Sequence, residues 1–190
     1  AGLSFIELGG VSPNPKVSMV RKGISLCKRE GIDFILAVGG GSVLDSAKGI
    51  GMGVATGRDP WEFAATGTAP DKTLPVATVL TLAASGSETS NSCVLTNEET
   101  REKRGITSQT NRPRISFLNP ENTFSVSRFQ TGCGIVDIMM HTLERYLTPQ
   151  GGESDITDRL AEGLLIATRD AGRRTLANPQ DYEARASLRW

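Results

Sequence analysis

Apolar residues in this chain recur in two rhythms, and the change from one to the other falls near residue 120. In "KVSMVRKGISLCKRE" (16–30), Val17, Val20, Ile24 and Cys27 repeat at three- and four-residue intervals, the spacing of one helical face. Gly31, just beyond, is a natural helix stop. Before this helix, "LSFIEL" (3–8) reads as a short strand and "GGVSPNP" as a turn whose prolines open the helix. After it, Phe34 to Val38 is an unbroken apolar run, which predicts a buried parallel-type strand leading straight into Gly39, Gly40, Gly41 and Ser42. Residues 43–56 read as the next helix, weakened by Gly49, Gly51 and Gly53. "DPWEFA" (59–64) predicts a short surface helix, "TLPVATVLTL" (73–82) a strand, and "AASGSE" a loop of small residues. Further short strands are expected in "NSCVLTN", "KRGITS" and "RISFLNP". From about Ser127 the spacing is helical to the end, broken by a polar interhelical loop at 148–155 and by Asn178-Pro179.

Strand, turn and helix following one another in this order predict an α/β fold with a doubly wound parallel sheet, followed by a helical segment. A domain boundary is expected at 120–126, dividing a first domain (1–122) from a second (123–190). The chain opens almost directly on strand-like residues and stops inside the helical pattern "DYEARASLRW" without a capping residue, as a cut chain would.

Charge narrows the function classes. Lys and Arg number 21, and so do Asp and Glu, which gives no electrostatic case for nucleic acid or an anionic membrane. No apolar run approaches the roughly 20 residues of a membrane span, and no signal-peptide pattern opens the chain. Cys27, Cys93 and Cys133 are widely spaced and include no CxxC pair, which fits a reducing, cytoplasmic setting with buried, inert thiols.

Two stretches carry candidate chemistry. Glycines between a strand and a helix let backbone amides approach an anion at the positive end of the helix dipole, and a pyrophosphate is the obvious guest. The loop matches neither GxGxxG nor the Walker pattern. Ser42 and Asp45 also fit an S-x-x-D capping box, with Ser42 as N-cap. The second stretch, "GIVDIMMHTLERY" (134–146), holds His141, the only histidine of the chain, four residues after Asp137. On a helix both side chains leave the same face. They form either half of a metal site or a hydrogen-bonded surface pair.

Four segments agree in order and spacing with one family. "GGGSVLDSAK", "TLAASGSETS", "FLNPENTF" and "TGCGIVDIMMHTLERYLT" resemble the motifs of the iron-containing (group III) alcohol dehydrogenases, and "VLTLAASGSE" leans toward their butanol dehydrogenase-like branch. The resemblance implies a Rossmann-like dinucleotide domain followed by an all-helical domain, the dehydroquinate synthase-like architecture, with residues 1–122 in the first and 123–190 beginning the second. It implies NAD or NADP as cofactor, a divalent iron or zinc ion, and a small alcohol or aldehyde as substrate. Gly40, Gly41, Ser42 and Asp45 would contact the pyrophosphate and neighbouring ribose, and Thr81, Leu82 and Ser85 would line the cofactor. Lys103 would reach a ribose or else be a solvated surface lysine. Leu118 would pack beside the cofactor or serve in the core. Asp137 and His141 would be metal ligands, with Glu144 as an orienting partner of the imidazole or a plain solvated residue. The family draws two further histidines from later helices, so the chain reads as an internal fragment of a protein about twice as long, lacking the family's first strand–helix unit. A homodimer is compatible with this reading. The rival readings are a glycerol dehydrogenase or dehydroquinate synthase of the same superfamily, and a nucleotide-binding fragment that catalyses nothing.

Overall fold

The computed structural model describes residues 2, 4–148 and 155–189. Its contacts divide it into two units. One comprises the chain up to Thr78 together with Ser87–Ser116, and the other Val79–Gly86 together with the chain from Phe117 onward.

The first unit is α/β. Helix α1 (Val17–Glu30) buries Val17, Val20, Gly23 and Cys27, and Gly31 ends it at φ 65°, its amide bonded to the Cys27 carbonyl. Strand β1 (Ile35–Gly39) leads through Gly40 into α2 (Gly41–Thr56), which is buried along most of its length. The glycines of α2 have a packing reason. A Cβ on Gly49 would lie 3.1 Å from Val20 of α1, and one on Gly53 would lie 2.3 Å from Ile24. Their absence lets the two helices approach closely, and this offsets the poor helix propensity of glycine. Helix α3 (Pro60–Thr66) is capped by Asp59, which accepts from the Trp61 amide at 2.9 Å and from Arg21 Nε at 2.7 Å.

Strand β2 (Val76–Leu80) sits between β1 and β5 (Ile115–Phe117) in a three-stranded parallel sheet. Strands β3 (Ser92–Asn97) and β4 (Glu102–Thr107) form an antiparallel ribbon in the register Ser92 to Thr107 and Asn97 to Glu102. Val17, Val20, Ile50, Met52, Phe63, Cys93, Leu95 and Ile106 make the core of this unit.

Three expectations are corrected here. "LSFIEL" forms no strand over its described residues 4–8. The β1 run is buried on one face only: Ala37 and Gly39 are covered, whereas Phe34, Leu36 and Val38 are each about half exposed. The capping box is absent: α2 starts at Gly41 with Gly40 as N-cap and no side-chain cap, so Ser42 and Asp45 lie inside the first turns.

In the second unit, Ser127 caps α4 (Arg128–Tyr146) by accepting from the Gln130 amide at 3.2 Å. Helix α5 (Asp155–Ala177) packs on α4, with Ile135 filling the space beside Gly172. Helix α6 (Tyr182–Arg189) is capped by Asp181, which also pairs with Arg174 of α5 at 3.1 Å. The loop expected at 148–155 lies outside the described residues except at its two ends. Among the described residues no helix is long and apolar enough to cross a membrane.

Candidate functional site

In the first unit the candidate feature is the turn between β1 and α2. Gly40 is extended (φ −89°, ψ −174°), and no side chain caps the helix it begins. The first amides of an α-helix have no partner within the helix, so those of Gly41 and Ser42 face outward at the positive end of a 16-residue helix. This is a donor set suited to an anion. Gly39 is needed because a Cβ there would meet Val43 at 2.5 Å.

Behind this turn lies a network that the sequence reading missed. Lys48 is buried, and its ammonium donates to the Ser87 carbonyl (2.6 Å) and hydroxyl (2.9 Å) and to the carbonyls of Ser90 (3.0 Å) and Ser92 (2.8 Å). Asp45 has both carboxylate oxygens engaged, one by the Ser87 hydroxyl at 2.6 Å and the other by the Val94 amide at 3.1 Å. Its nearer oxygen is 3.9 Å from Lys48 Nζ. Burial pushes the Asp45 carboxyl up despite the Ser87 bond and the nearby ammonium, and burial pushes Lys48 down despite Asp45. For both groups lost hydration outweighs the attraction between them. One signal was available: Lys48 is the only charged residue in a run of small and apolar positions, "SAKGIGMG".

In the second unit the candidate feature is carried by the loop 79–86 and α4. A Cβ on Gly134 would lie 2.4 Å from the Ala83 carbonyl oxygen, so helix and loop are in backbone contact. Beside this contact is an open recess of about 770 Å³ lined by Leu82, Ala84, Phe129, Cys133, Asp137 and Met140 among others. Leu82 and Asp137 are thus brought together. His141 Nε2 stands 3.8 Å from Asp137 Oδ1, both side chains about half exposed on one face of α4. An imidazole and a carboxylate so placed suit a divalent transition ion. Among the described residues no group of three His, Cys, Asp or Glu side chains forms a metal cluster.

The other expected residues are more scattered. Glu144 is exposed one turn beyond His141. Cys133 is exposed, against the expectation of a buried thiol, whereas Cys27 and Cys93 are buried. Thr81 and Leu118 are half-buried and Ser85 is exposed. Lys103 is exposed on β4 and donates to Asn14 Oδ1 at 3.1 Å.

The chain is similar in sequence and fold to known proteins. The chain is 41% identical to the NADH-dependent butanol dehydrogenase A of Clostridium acetobutylicum over 188 residues, 99% of this chain and 48% of that protein. It is 35% identical to the NADPH-dependent aldehyde reductase YqhD of Escherichia coli over 192 residues, 100% of this chain and 49% of that protein. Its fold matches the crystal structure of the NADH-dependent butanol dehydrogenase A of Thermotoga maritima with a TM-score of 0.94 and 38% identity, covering 100% of this chain and 47% of that one. The chain therefore spans about half the length of the curated relatives it matches. The sequence profile of the iron-containing alcohol dehydrogenases matches residues 1–120. The chain belongs to the iron-containing alcohol dehydrogenase family.

Proposed function

We propose that the protein is a metal-dependent, NAD(P)-linked alcohol dehydrogenase or aldehyde reductase acting on a small alcohol or aldehyde. The observation that carries this is the placing of Asp137 and His141 on one face of α4, with Asp137 in a recess shared with Leu82. Relatives named as butanol dehydrogenases, an aldehyde reductase and a propanediol dehydrogenase support it over the glycerol dehydrogenase and dehydroquinate synthase readings.

In this reading Asp137 and His141 hold a divalent iron or zinc ion, and Glu144 is close enough in sequence to orient the imidazole. The amides of Gly41 and Ser42, reached across Gly40, hold the cofactor pyrophosphate, and Asp45 supports their helix from behind. Thr81, Leu82 and Ser85 border the cofactor, Lys103 reaches a ribose, and Leu118 packs against it. When bound, the ion supplies Lewis acidity toward the substrate oxygen and the nicotinamide supplies or accepts hydride. Leu82, Phe129 and Met140 give the recess an apolar wall for the carbon chain of the substrate.

The test is a zinc or iron(II) titration with metal analysis, run beside NADH and NADPH titrations and a butyraldehyde reduction assay. Metal uptake that Asp137→Asn and His141→Asn both abolish, together with cofactor binding, is the expected result. A folded protein that binds neither metal nor cofactor would overturn the assignment. A second reading, a nucleotide-binding chain without catalysis, is favoured by there being no group of three candidate ligands among the described residues, since catalytic sites usually draw on three protein ligands. Cofactor binding without metal uptake or turnover would select it.

A further inference from the structure

The buried Lys48 has no part in the cofactor and metal contacts proposed above, yet it is the most heavily bonded side chain on α2. Every acceptor it reaches lies between Ser87 and Ser92, directly after the loop that carries Ser85. Ser87–Asn91 belongs to no helix or strand; the Ser116 hydroxyl donates to the Glu88 carbonyl, Arg112 to that of Thr89 and the Ser108 amide to that of Asn91, while Lys48 takes those of Ser87 and Ser90. An aliphatic side chain would fill the same volume without the cost of burying a charge. A lysine ammonium carries three donors on a single atom, more than any neutral side chain offers at one point. Asp45 completes the arrangement by accepting from the Ser87 hydroxyl, at the start of the segment, and from the Val94 amide of β3, just beyond its end.

We propose that Lys48 is a positioning residue that locks the Ser87–Ser92 turn onto α2, so that the chain leaving Ser85 is anchored on the helix whose first turn holds the cofactor. The inference rests on the cofactor reading of that first turn. It gives the acid and the base of "DSAK" a joint task, carried out through Ser87 and not on the cofactor itself.

The test compares the wild-type chain with Lys48→Met by hydrogen-exchange mass spectrometry and NADH titration under conditions where both are folded. Opening of the turn should accelerate exchange in peptides spanning 85–94 by about tenfold or more, with peptides of α5 and α6 unchanged. NADH affinity should fall by about tenfold. A lysine that merely added stability would speed exchange throughout the first unit and leave the NADH affinity of the folded protein intact. Unchanged exchange at 85–94, or unchanged affinity in a chain whose wild type binds NADH, overturns the proposal. If Lys48→Met does not fold, Ser87→Ala replaces it: faster exchange confined to 85–94 supports the lock, and unchanged exchange overturns it. Wild type that fails to bind NADH while the local exchange effect persists would defeat the cofactor reading and leave the lock standing.

Discussion

Two glycines of α4, Gly132 and Gly134, should respond to alanine with opposite signs. A Cβ on Gly132 meets nothing within 4 Å, so Gly132→Ala adds only helix propensity and should stabilise by up to about 1 kcal/mol. On Gly134 the same methyl would lie 2.4 Å from the Ala83 carbonyl oxygen, a backbone atom that cannot rotate away. To reach about 3.2 Å, the helix and the 79–86 loop must separate by about 0.8 Å, an overpacking whose usual cost is about 1–3 kcal/mol. Subtracting the propensity gain of about 1 kcal/mol leaves a net loss of about 0–2 kcal/mol. The gap between the two variants is therefore about 1–3 kcal/mol, or several degrees in Tm for a chain of this size. Thermal unfolding followed by circular dichroism measures it. Because the displaced loop carries Leu82 and Ala84 into the recess, NADH affinity should also fall in Gly134→Ala and hold in Gly132→Ala. Equal Tm values for the two variants would refute the close-packing argument.

Other expectations follow from single contacts. Leu44→Ala, at a fully buried position of α2, should cost about 2–5 kcal/mol in urea unfolding; a loss under about 1 kcal/mol would mean the site collapses around the gap. Asp59→Ala removes the α3 cap and the partner of Arg21 and should cost about 1 kcal/mol, with Asp59→Asn recovering much of it. The buried ammonium gives a pH signature. Lys48 is lowered from the usual 10.5, so between its folded value and 10.5 the unfolded chain binds more protons and the stability it contributes rises with pH. The stability gap between wild type and Lys48→Met should widen over that window, and a flat gap would show that the lysine is not depressed. Asp45 works in the opposite sense: raised from 3.8, it contributes stability that is present below 3.8 and lost as pH rises through its folded value.

Much of the local architecture was legible because it rests on near neighbours. The period of Val17, Val20 and Cys27, the stop at Gly31 and the onset of helical spacing at about Ser127 are each decided within a few residues. What failed depends on distant partners. The S-x-x-D pattern promised a cap, but Gly40 opens the helix two residues earlier and Asp45 is claimed by Ser87 and Val94, more than forty residues away. "LSFIEL" has strand-like composition but no strand over its described residues, since propensity forms no ladder without a partner edge. In β1 the apolar run predicted burial on both faces, whereas cover is decided by what packs against the sheet. At the candidate site, the glycine turn and the Asp137–His141 spacing could be read directly, and the pairing of Leu82 with Asp137 in one recess could not.

The route of the backbone has a practical consequence. It passes from the first unit to the second after Thr78, returns at Ser87, and leaves again after Ser116. A single cut at residue 116 would therefore give no self-sufficient halves. The helical piece would lose Val79–Gly86, and with it the Ala83 carbonyl against which Gly134 is fitted. The strand-bearing piece would keep that loop with nothing to rest on. Any attempt to exchange the helical part between relatives must carry this loop along as a second, separate insert.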